Sequence, residues 1–283
     1  MPFKDLLVHL DSARQGADRL AYAVEWAKRD QAHLTGLYTV DLVPSLAELA
    51  RAHPGGIEYF DSYVQSRATE IDRAKEVESE FRNALEREEL QGEWRFVEGT
   101  PAETVGLHAR YADLTIVGQV DPANPGASTS RLIPEQTLLS SGRPLVILPY
   151  AGQFQSIGRY VVVGWKLTRE AARALADALP ILERAEKVTV LTVNPDRGPD
   201  AETGIAAADI ALHLARHGVR VEARTTIADD IETGDVLLNE VSDNGADLLV
   251  IGGYGHPRLR EAMFGGVTRH ILQSMTVPVL MAH

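Results

Sequence analysis

The sequence predicts an α/β protein made of two tandem doubly wound domains, each with a parallel sheet of about five strands. Three observations support this fold class. The chain has 283 residues, which favours two domains because one domain usually takes roughly 100 to 200 residues. Its second half repeats its first half. In both halves, short apolar runs alternate with segments of helical spacing, which is typical of a sheet covered by helices on both faces.

The internal repeat is visible in two pairs of segments. Residues 112–118 (ADLTIVG) match residues 246–252 (ADLLVIG), 134 positions later. Residues 144–147 (PLVI) match residues 278–281 (PVLM) at the same offset. A duplication at a fixed offset indicates two copies of one structural unit.

The first copy is longer than the second near its front. The first-strand segments, residues 6–11 and 160–165, lie 154 positions apart, which is 20 more than the offset of 134 found later in the chain. The first copy therefore carries an insertion of about 20 residues within residues 42–98. We expect an added helix or lid over residues 42–56 and a long charged helix over residues 63–88.

These limits define the predicted domains. We assign residues 1–150 to domain 1 and residues 159–283 to domain 2, with a polar linker over residues 151–158. Short runs rich in Val, Ile and Leu are expected to form buried strands. These runs are residues 4–10, 33–40, 112–118 and 144–149 in domain 1 and residues 159–164, 187–193, 246–252 and 278–282 in domain 2.

Two helix starts are marked by their sequence. Thr168 precedes a segment with its apolar residues on one face, and we expect Pro180 to end or kink that helix. Thr100 and Glu103 have the spacing of a capping box, with Pro101 at the first helical position. We therefore predict helices that begin after Thr168 and after Thr100.

The composition excludes several classes of function. The formal net charge is −12, from 40 acidic and 28 basic side chains, so no basic stripe is available for nucleic acid. The absence of cysteine excludes disulfides, thiolate metal sites and cysteine nucleophiles. Acidic residues occur too early for a signal peptide, and no apolar run is long enough to span a membrane. We expect a cytoplasmic protein without nucleic-acid or membrane partners.

The chemically informative segment is residues 251–268. It leaves a predicted strand, passes through a loop and opens a helix. In that setting, glycines let a phosphate approach the backbone N–H groups at a helix N-terminus. The spacing is Gly252, two residues, Gly255, nine residues, Gly265.

This spacing resembles the signature of the universal stress protein family (UspA-like), and the Ala-Asp-Leu strand and the terminal strand after proline recur in both copies as in that family. The chain is identified as a tandem member. The resemblance implies an adenine nucleotide alpha hydrolase-like, Rossmann-type fold, terminal strands that pair between domains, and ATP with Mg²⁺ as ligand. In the family, the glycines hold the phosphates, an aspartate after the first strand approaches ribose or metal, and backbone at the end of the second strand meets adenine.

Domain 2 keeps most of the implied cofactor-binding positions: Gly252, Gly255 and Gly265 for the phosphates and Val193 for adenine. It departs from the family at two others. Gly266 replaces the serine or threonine after the last glycine, which leaves only its backbone N–H as a donor. Trp165 replaces the aspartate, and this indole is expected to fill the ribose pocket or stack on a base.

Domain 1 departs from the family in the opposite way. It keeps Asp11 after its first strand and Thr39 at the adenine position. However, Asp121 stands where domain 2 has Gly255, and Arg131 stands where it has Gly265. A carboxylate at a phosphate position is unfavourable because like charges repel strongly in a dry site. We therefore predict that domain 1 binds no nucleotide.

The site residues also have structural interpretations. The glycines can serve tight turns without any ligand. Asp11 or Ser12 can cap the next helix, Trp165 can be a packed aromatic, and Arg131 can be a surface charge. Three arginines near the glycine segment can counter an anion or simply be solvated: Arg258, Arg260 and Arg269.

No metal ligand and no catalytic residue is assigned. His256, His270 and His283 surround the glycine segment, but no pair among them has the spacing of a zinc site on a helix. No nucleophile or general base stands out. A slow ATPase would need a metal and a base that the sequence does not reveal.

The expected function is that of a stress-response protein that binds ATP, another adenine nucleotide or a small anion through domain 2 without strong catalysis. The alternative is an interaction scaffold in which side chains close both pockets. The apolar terminal strands favour pairing of domain 1 with domain 2, because an unpaired sheet edge invites another strand. A homodimer of tandem chains is the expected assembly.

Overall fold

The computed structural model describes residues 2–13, 15–40, 56–121, 132–195, 205–254 and 266–283. Strands and helices alternate in both halves. The first half contains β1 (Asp5–Leu10), α1 (Gln15–Asp30), β2 (His33–Val40), α2 (Gly56–Arg87), β3 (Gly92–Glu98), α3 (Pro101–Ala109), β4 (Leu114–Gly118), α4 (Ile133–Ser141) and β5 (Leu145–Leu148). The second half contains β6 (Tyr160–Gly164), α5 (Arg169–Leu182), β7 (Lys187–Val193), α6 (Ile205–Arg216), β8 (Val221–Thr226), α7 (Thr233–Asp243), β9 (Leu248–Gly252), α8 (Gly266–Ser274) and β10 (Val279–Ala282).

All of these strands belong to one ten-stranded sheet with the order β3-β2-β1-β4-β5-β10-β9-β6-β7-β8. Neighbouring strands are parallel except β5 and β10, which are antiparallel. From its outer edge inward, each half has the same strand order: third, second, first, fourth, fifth. This order confirms two doubly wound halves, and the β5–β10 pair confirms that their terminal strands join them.

The eight predicted runs each contain a strand, but β3 and β8 were not among them. Both lie at the outer edges of the sheet. The residues of β3 and β8 are exposed or only partly buried. An edge strand of this kind does not need a continuous apolar run, so its sequence lacks the signal that identified the buried strands.

Alternate residues of the strands face two helical layers. In β1, Leu6, Val8 and Leu10 belong to one apolar cluster, and Leu7 belongs to another. The first cluster includes residues of α1, α2, α5 and α6. The second includes residues of α3, α4, α7 and α8. The sheet is therefore covered on both faces, as the sequence predicts.

The repeated Ala-Asp-Leu motif has the same structural role in both halves. Asp113 Oδ2 accepts hydrogen bonds from the backbone N–H groups of Lys4 (2.8 Å) and Asp5 (3.1 Å). Asp247 accepts the two corresponding N–H groups at the start of β6, at 3.0 and 2.9 Å. Each carboxylate satisfies N–H groups at the start of the adjacent first strand. In both halves the motif therefore holds the start of the first strand against the start of the fourth.

The helix predicted after Thr168 is confirmed. The Thr168 side chain accepts a hydrogen bond from the backbone N–H of Ala171 at 3.3 Å. Pro180 lies inside α5 without ending it, because the helix continues to Leu182.

The capping box predicted at Thr100 is wrong, because its side-chain hydrogen bond does not form. Thr100 precedes α3, and Pro101 occupies the first helical turn, as expected. The Thr100 side chain makes no capping bond. The first turn is held instead by the backbone bond from Thr104 N–H to Thr100 O, at 2.9 Å.

The extra length of the first half lies partly in α2. This helix has 32 residues, whereas α6 has 12, and it contains most of the predicted charged helix. The predicted helix or lid over residues 42–56 lies almost entirely outside the described residues. Residues 149–159, all of them described, form neither helix nor strand. They include the predicted linker, and the domain limits themselves stay a prediction.

The two halves also meet on the face of the sheet that α1 and α5 cover. Asp30, at the end of α1, is buried and forms ion pairs with Arg29 and, from the second half, Arg184. Its other carboxylate oxygen accepts the Phe3 N–H at 3.3 Å. Arg29 Nη1 donates to the carbonyl of Ile157 at 2.8 Å. Among the described residues, no helix is long and apolar enough to cross a membrane.

Candidate functional site

Each half has one point at which the strand order reverses, between β1 and β4 in the first half and between β6 and β9 in the second. In open α/β sheets, ligands bind outside the carboxyl ends of the strands at such a point. Asp11 follows β1 and lies near Gly118 at the end of β4. Trp165 follows β6, and because Gly164 pairs with Ile251, it lies near Gly252. The two candidate sites are therefore equivalent places in the two halves.

Gly252 is required by packing. A Cβ atom at this position would collide with the backbone of Glu170 and Ala171 at the start of α5, and the Glu170 carbonyl carbon would lie only 2.5 Å away. The first glycine of the motif therefore lets β9 approach the N-terminal turn of α5. This finding supports the structural interpretation of Gly252.

Gly266 begins α8, and its surroundings differ from those of Gly252. Apart from the adjacent chain and the backbone of α8 itself, no heavy atom of the described residues lies within 4 Å of the place that a Cβ atom would take at Gly266. In the first turn of α8, Thr268 Oγ1 accepts a hydrogen bond from the backbone N–H of Tyr254 at 3.3 Å. The start of α8 is thus tied to the end of β9. Gly255 and Gly265 lie outside the described residues.

Trp165 is packed in the core. Only 9% of the residue is exposed, and it belongs to the apolar cluster that contains α1 and α5. Its backbone N–H donates to the carbonyl of Leu191 at 2.8 Å, which ties it to β7. Its indole Nε1 is buried and makes no hydrogen bond within the described part of the chain. An unpaired buried donor costs about 1–3 kcal/mol.

Val193 is the last residue of β7 and is partly buried. The next residue, Asn194, has a positive φ of 46°. Its side chain donates to the carbonyl of Ala228 at 2.9 Å and accepts the N–H of the same residue at 2.7 Å. The loops after β7 and β8 are therefore fixed to each other. Val193, Trp165 and Gly252 all lie at the carboxyl edge of the sheet.

The first half borders the site of the second half. A Cβ atom at Gly253 would lie 2.6 Å from Leu138 Cδ2 in α4. Burial raises the pKa of Glu135 in α4, while Arg269 in α8 acts against that rise. Burial and the charge of Glu135 raise the pKa of Tyr254. Helix α4 is therefore a wall of the second-half site.

In the first half, Asp11 is held by a buried arginine that the sequence analysis did not identify. Arg19 Nη2 lies 2.8 Å from Asp11 Oδ2, and Arg19 Nε donates to the His9 carbonyl at 2.6 Å. Asp11 Oδ1 accepts the Ala13 N–H at 3.1 Å. Burial raises the pKa of Asp11, but the positive charge of Arg19 and these contacts outweigh it, so the pKa lies below its usual range. Arg19 is only 3% exposed, and its guanidinium packs against Gly118.

Thr39 is engaged with a second residue that the sequence analysis missed. His9 Nε2 lies 3.3 Å from Thr39 Oγ1. Burial lowers the pKa of His9 to about 4, with Asp11 opposing this shift and Arg19 adding to it. The imidazole is therefore neutral at neutral pH.

A helix of the first half adds further polar contacts at the same edge. In α2, Glu70 accepts a hydrogen bond from the Tyr38 hydroxyl and another from Ser12 Oγ, the latter at 3.2 Å. Burial and the Glu70 contact raise the pKa of Tyr38. Polar groups around the first-half crevice are thus paired with one another.

The remaining candidates have separate positions. Asp121 lies beyond β4 and is partly buried, and Arg131, Arg258, Arg260 and His256 lie outside the described residues. His270 Nε2 lies 2.7 Å from Asp235 Oδ1, and His283 Nδ1 lies 3.1 Å from the Gly253 carbonyl. In the part of the chain that the structure describes, no three or more His, Asp or Glu side chains are grouped to hold a metal ion.

Comparisons with known proteins agree with this architecture. Residues 159–283 match the model of the universal stress protein family. A curated relative, Universal stress protein Slr1230 of Synechocystis, is 27% identical over 149 residues. That match covers 52% of this chain and 49% of the relative, so it spans about half the length of each.

Two solved structures match nearly the whole chain. A universal stress protein from Archaeoglobus fulgidus has a TM-score of 0.74 at 15% identity, covering 98% of this chain and 96% of that one. A protein from Pseudomonas aeruginosa assigned to the universal stress proteins has a TM-score of 0.62 at 14% identity, covering 99% and 93%. At these identities the likeness shows the fold. Residues 159–283 therefore match the domain of the universal stress protein family, and both halves have the fold of these solved structures.

Proposed function

We propose that the protein binds an adenine nucleotide such as ATP, or another small anion, through its second half and without strong catalysis. The observation that carries this proposal is the start of α8. Its first turn is tied to the end of β9 through Tyr254 and Thr268, and no side chain of the described residues fills the space beside Gly266. The first N–H groups of a helix lack intrahelical partners, and the helix dipole favours an anion there.

Two further features fit a nucleotide at this edge. The buried indole N–H of Trp165 has no hydrogen-bond partner within the described residues, so a ligand oxygen would satisfy it if the indole turned toward the crevice. Val193 ends β7 at the same edge, which is where the family resemblance puts adenine. Trp165 cannot replace a metal-binding aspartate. In this proposal Mg²⁺ enters with ATP and is held by the phosphates and water.

Calorimetric titration with MgATP tests the proposal, with Gly266→Asp as the decisive variant. An aspartate at a helix start supports the helix, but it puts a carboxylate where a phosphate would bind. We expect the affinity for MgATP to fall by about tenfold or more, because like charges repel strongly at short range, while the folded state persists.

The matched control is Leu132→Asp. Leu132 is the equivalent residue, 134 positions earlier, and precedes α4. This variant adds the same charge at the same place in the first half, and we expect a much smaller loss of MgATP affinity, because α4 borders the proposed site without supplying its N–H groups. Equal affinity in wild type and Gly266→Asp, or equal losses in both variants, would contradict the proposed site.

A second candidate function is an interaction scaffold without a ligand. The burial of Trp165 and the closing of the first-half crevice by Arg19 favour it. In that case wild-type protein gives no heat with MgATP, and no nucleotide appears by mass spectrometry of protein purified without added nucleotide.

A homodimer of tandem chains and a cytoplasmic location are also part of the proposal. Because β5 and β10 pair within the chain, a second chain must use another surface. Light scattering after size exclusion tests the dimer, and cell fractionation tests the location.

A further inference from the structure

Two histidines at the C-terminal end of α6 lie side by side, outside the site described above. His213 is in the last turn of α6, and His217 follows the helix directly. Residues four apart on a helix share a face. The two imidazole centroids are 4.9 Å apart, with an interplanar angle of 61°. Both residues are exposed, so the pair is open to solvent.

The end of α6 fixes the position of His217. The His217 N–H donates to the Leu214 carbonyl at 2.9 Å, and the Val219 N–H returns to the same carbonyl at 3.2 Å. Gly218 supplies the left-handed conformation that closes the helix, with φ of +79°. Leu214 and Val219 are buried. The backbone that carries the second imidazole is therefore anchored to the core.

This geometry fits chelation of one metal ion. With Zn–N bonds of about 2.0–2.1 Å and a tetrahedral angle, the centroids of two coordinated imidazoles lie roughly 5 Å apart. The observed centroid distance of 4.9 Å matches this value, and because the rings meet edge to face, chelation requires one imidazole to rotate about its side-chain torsions. The C-terminal end of a helix dipole favours a cation, and the net charge of the chain is −12.

The charged residues near this histidine pair have opposite effects on a bound cation. Asp209 lies four residues before His213 on the same face and is exposed, so its carboxylate attracts a cation. Arg216 and Arg220 repel one. Because no group of three ligating side chains forms within the described residues, the protein would supply two ligands and water would supply the others.

We propose that His213 and His217 form an open binding site for a divalent transition metal ion of the zinc type. Imidazole nitrogen suits such ions, whereas Mg²⁺ and Ca²⁺ prefer oxygen. The sequence analysis considered only the histidines near the glycine segment. The signal that it passed over is the spacing His-x-x-x-His on a helix, which is the spacing of the two histidines in helical zinc motifs.

Calorimetric titration of the full chain with Zn²⁺, without nucleotide, tests this site. We expect one Zn²⁺ to bind wild type, and His213→Gln and His217→Gln each to weaken that binding by roughly tenfold or more, since a single imidazole cannot chelate. An excess of Mg²⁺ should not displace the zinc.

A spacing control separates chelation from a simple count of histidines. The double variant Ala215→His with His217→Gln keeps two histidines on α6 but places them two residues apart, where they do not share a face. We expect it to bind zinc as weakly as the single variants. The proposal is overturned by wild type without saturable zinc binding, by single variants with wild-type affinity, or by a spacing control that binds as tightly as wild type.

Discussion

The two halves place different groups against two equivalent glycines, Gly118 and Gly252. In the first half, the guanidinium of Arg19 packs on Gly118 and pairs with Asp11. In the second half, the backbone at the start of α5 packs on Gly252. The first crevice therefore contains its own cation, already paired. In the second half, helix α8 begins at the same edge of the sheet, and in the proposed function its first N–H groups bind the anion. The same strand arrangement thus places an arginine side chain against one glycine and helix backbone against the other.

A second difference joins the halves at the proposed site. Gln119 occupies the position equivalent to Gly253, 134 residues earlier. Its Nε2 donates to the carbonyls of Leu272 at 2.8 Å and Gln273 at 3.2 Å, in the last turn of α8. Its Oε1 accepts the Tyr150 N–H at 3.0 Å. The first half therefore holds the end of the helix whose start is the proposed anion site.

The largest expected effect concerns His9, whose second-half equivalent is Val163. Burial lowers the pKa of His9 from 6.5 to about 4. Between these pH values the unfolded chain binds a proton that the folded chain rejects, so stability falls as pH falls, by about 3 kcal/mol. We expect His9→Val, which copies the second half, to remove this pH dependence.

Urea unfolding of wild type and His9→Val from pH 7 to pH 4 measures that difference. Asp11, whose pKa lies below its ordinary value, titrates below this window and is common to both proteins. Parallel pH profiles would show that His9 is not buried in its neutral form.

The next effect distinguishes the two glycines. Gly252→Ala puts a methyl group against helix backbone, whereas Gly118→Ala meets the end of a flexible arginine side chain. We expect Gly252→Ala to lower the free energy of unfolding by about 2 kcal/mol, in the range of overpacked cores. Gly118→Ala should cost less because Arg19 can shift. Equal losses in the two variants, measured by urea unfolding, would remove the distinction between backbone and side-chain occupants.

The smallest effect tests the contact between halves. Gln119→Gly, which gives the first half the residue of the second, removes hydrogen bonds to α8 and should cost about 1 kcal/mol. We expect faster hydrogen exchange in the peptide that contains the end of α8, measured without any ligand. Unchanged exchange there would show that α8 does not depend on Gln119.

The sequence predicted the buried strands of the fold better than the edge strands or the polar contacts. Eight strands were marked by apolar runs, and the cap at Thr168 by its position before an apolar helical face. The edge strands β3 and β8 have no such runs because solvent replaces one layer of packing. The family resemblance, not the local pattern, identified the second half as the candidate site.

The polar residues of the first-half crevice were harder to predict. Arg19 belongs to the buried face of α1 with Gly16, Leu20 and Ala23, and that helical spacing was the available signal. It was passed over because a charged residue is rarely buried unless it is paired, and its partner Asp11 is in a different element. His9 was likewise hidden in an apolar strand, since its pairing with Thr39 depends on the register of β1 and β2.

The ion pair between Asp30 and Arg184 has a consequence for how the two halves recognise each other. These residues lie 154 positions apart, so they are equivalent by the repeat, yet one is an acid and the other a base. Two copies of the first half in the same arrangement would oppose buried carboxylate to carboxylate, and two copies of the second would oppose guanidinium to guanidinium. The two halves are therefore complementary at this contact. Expressed as separate polypeptides, they would choose each other over themselves.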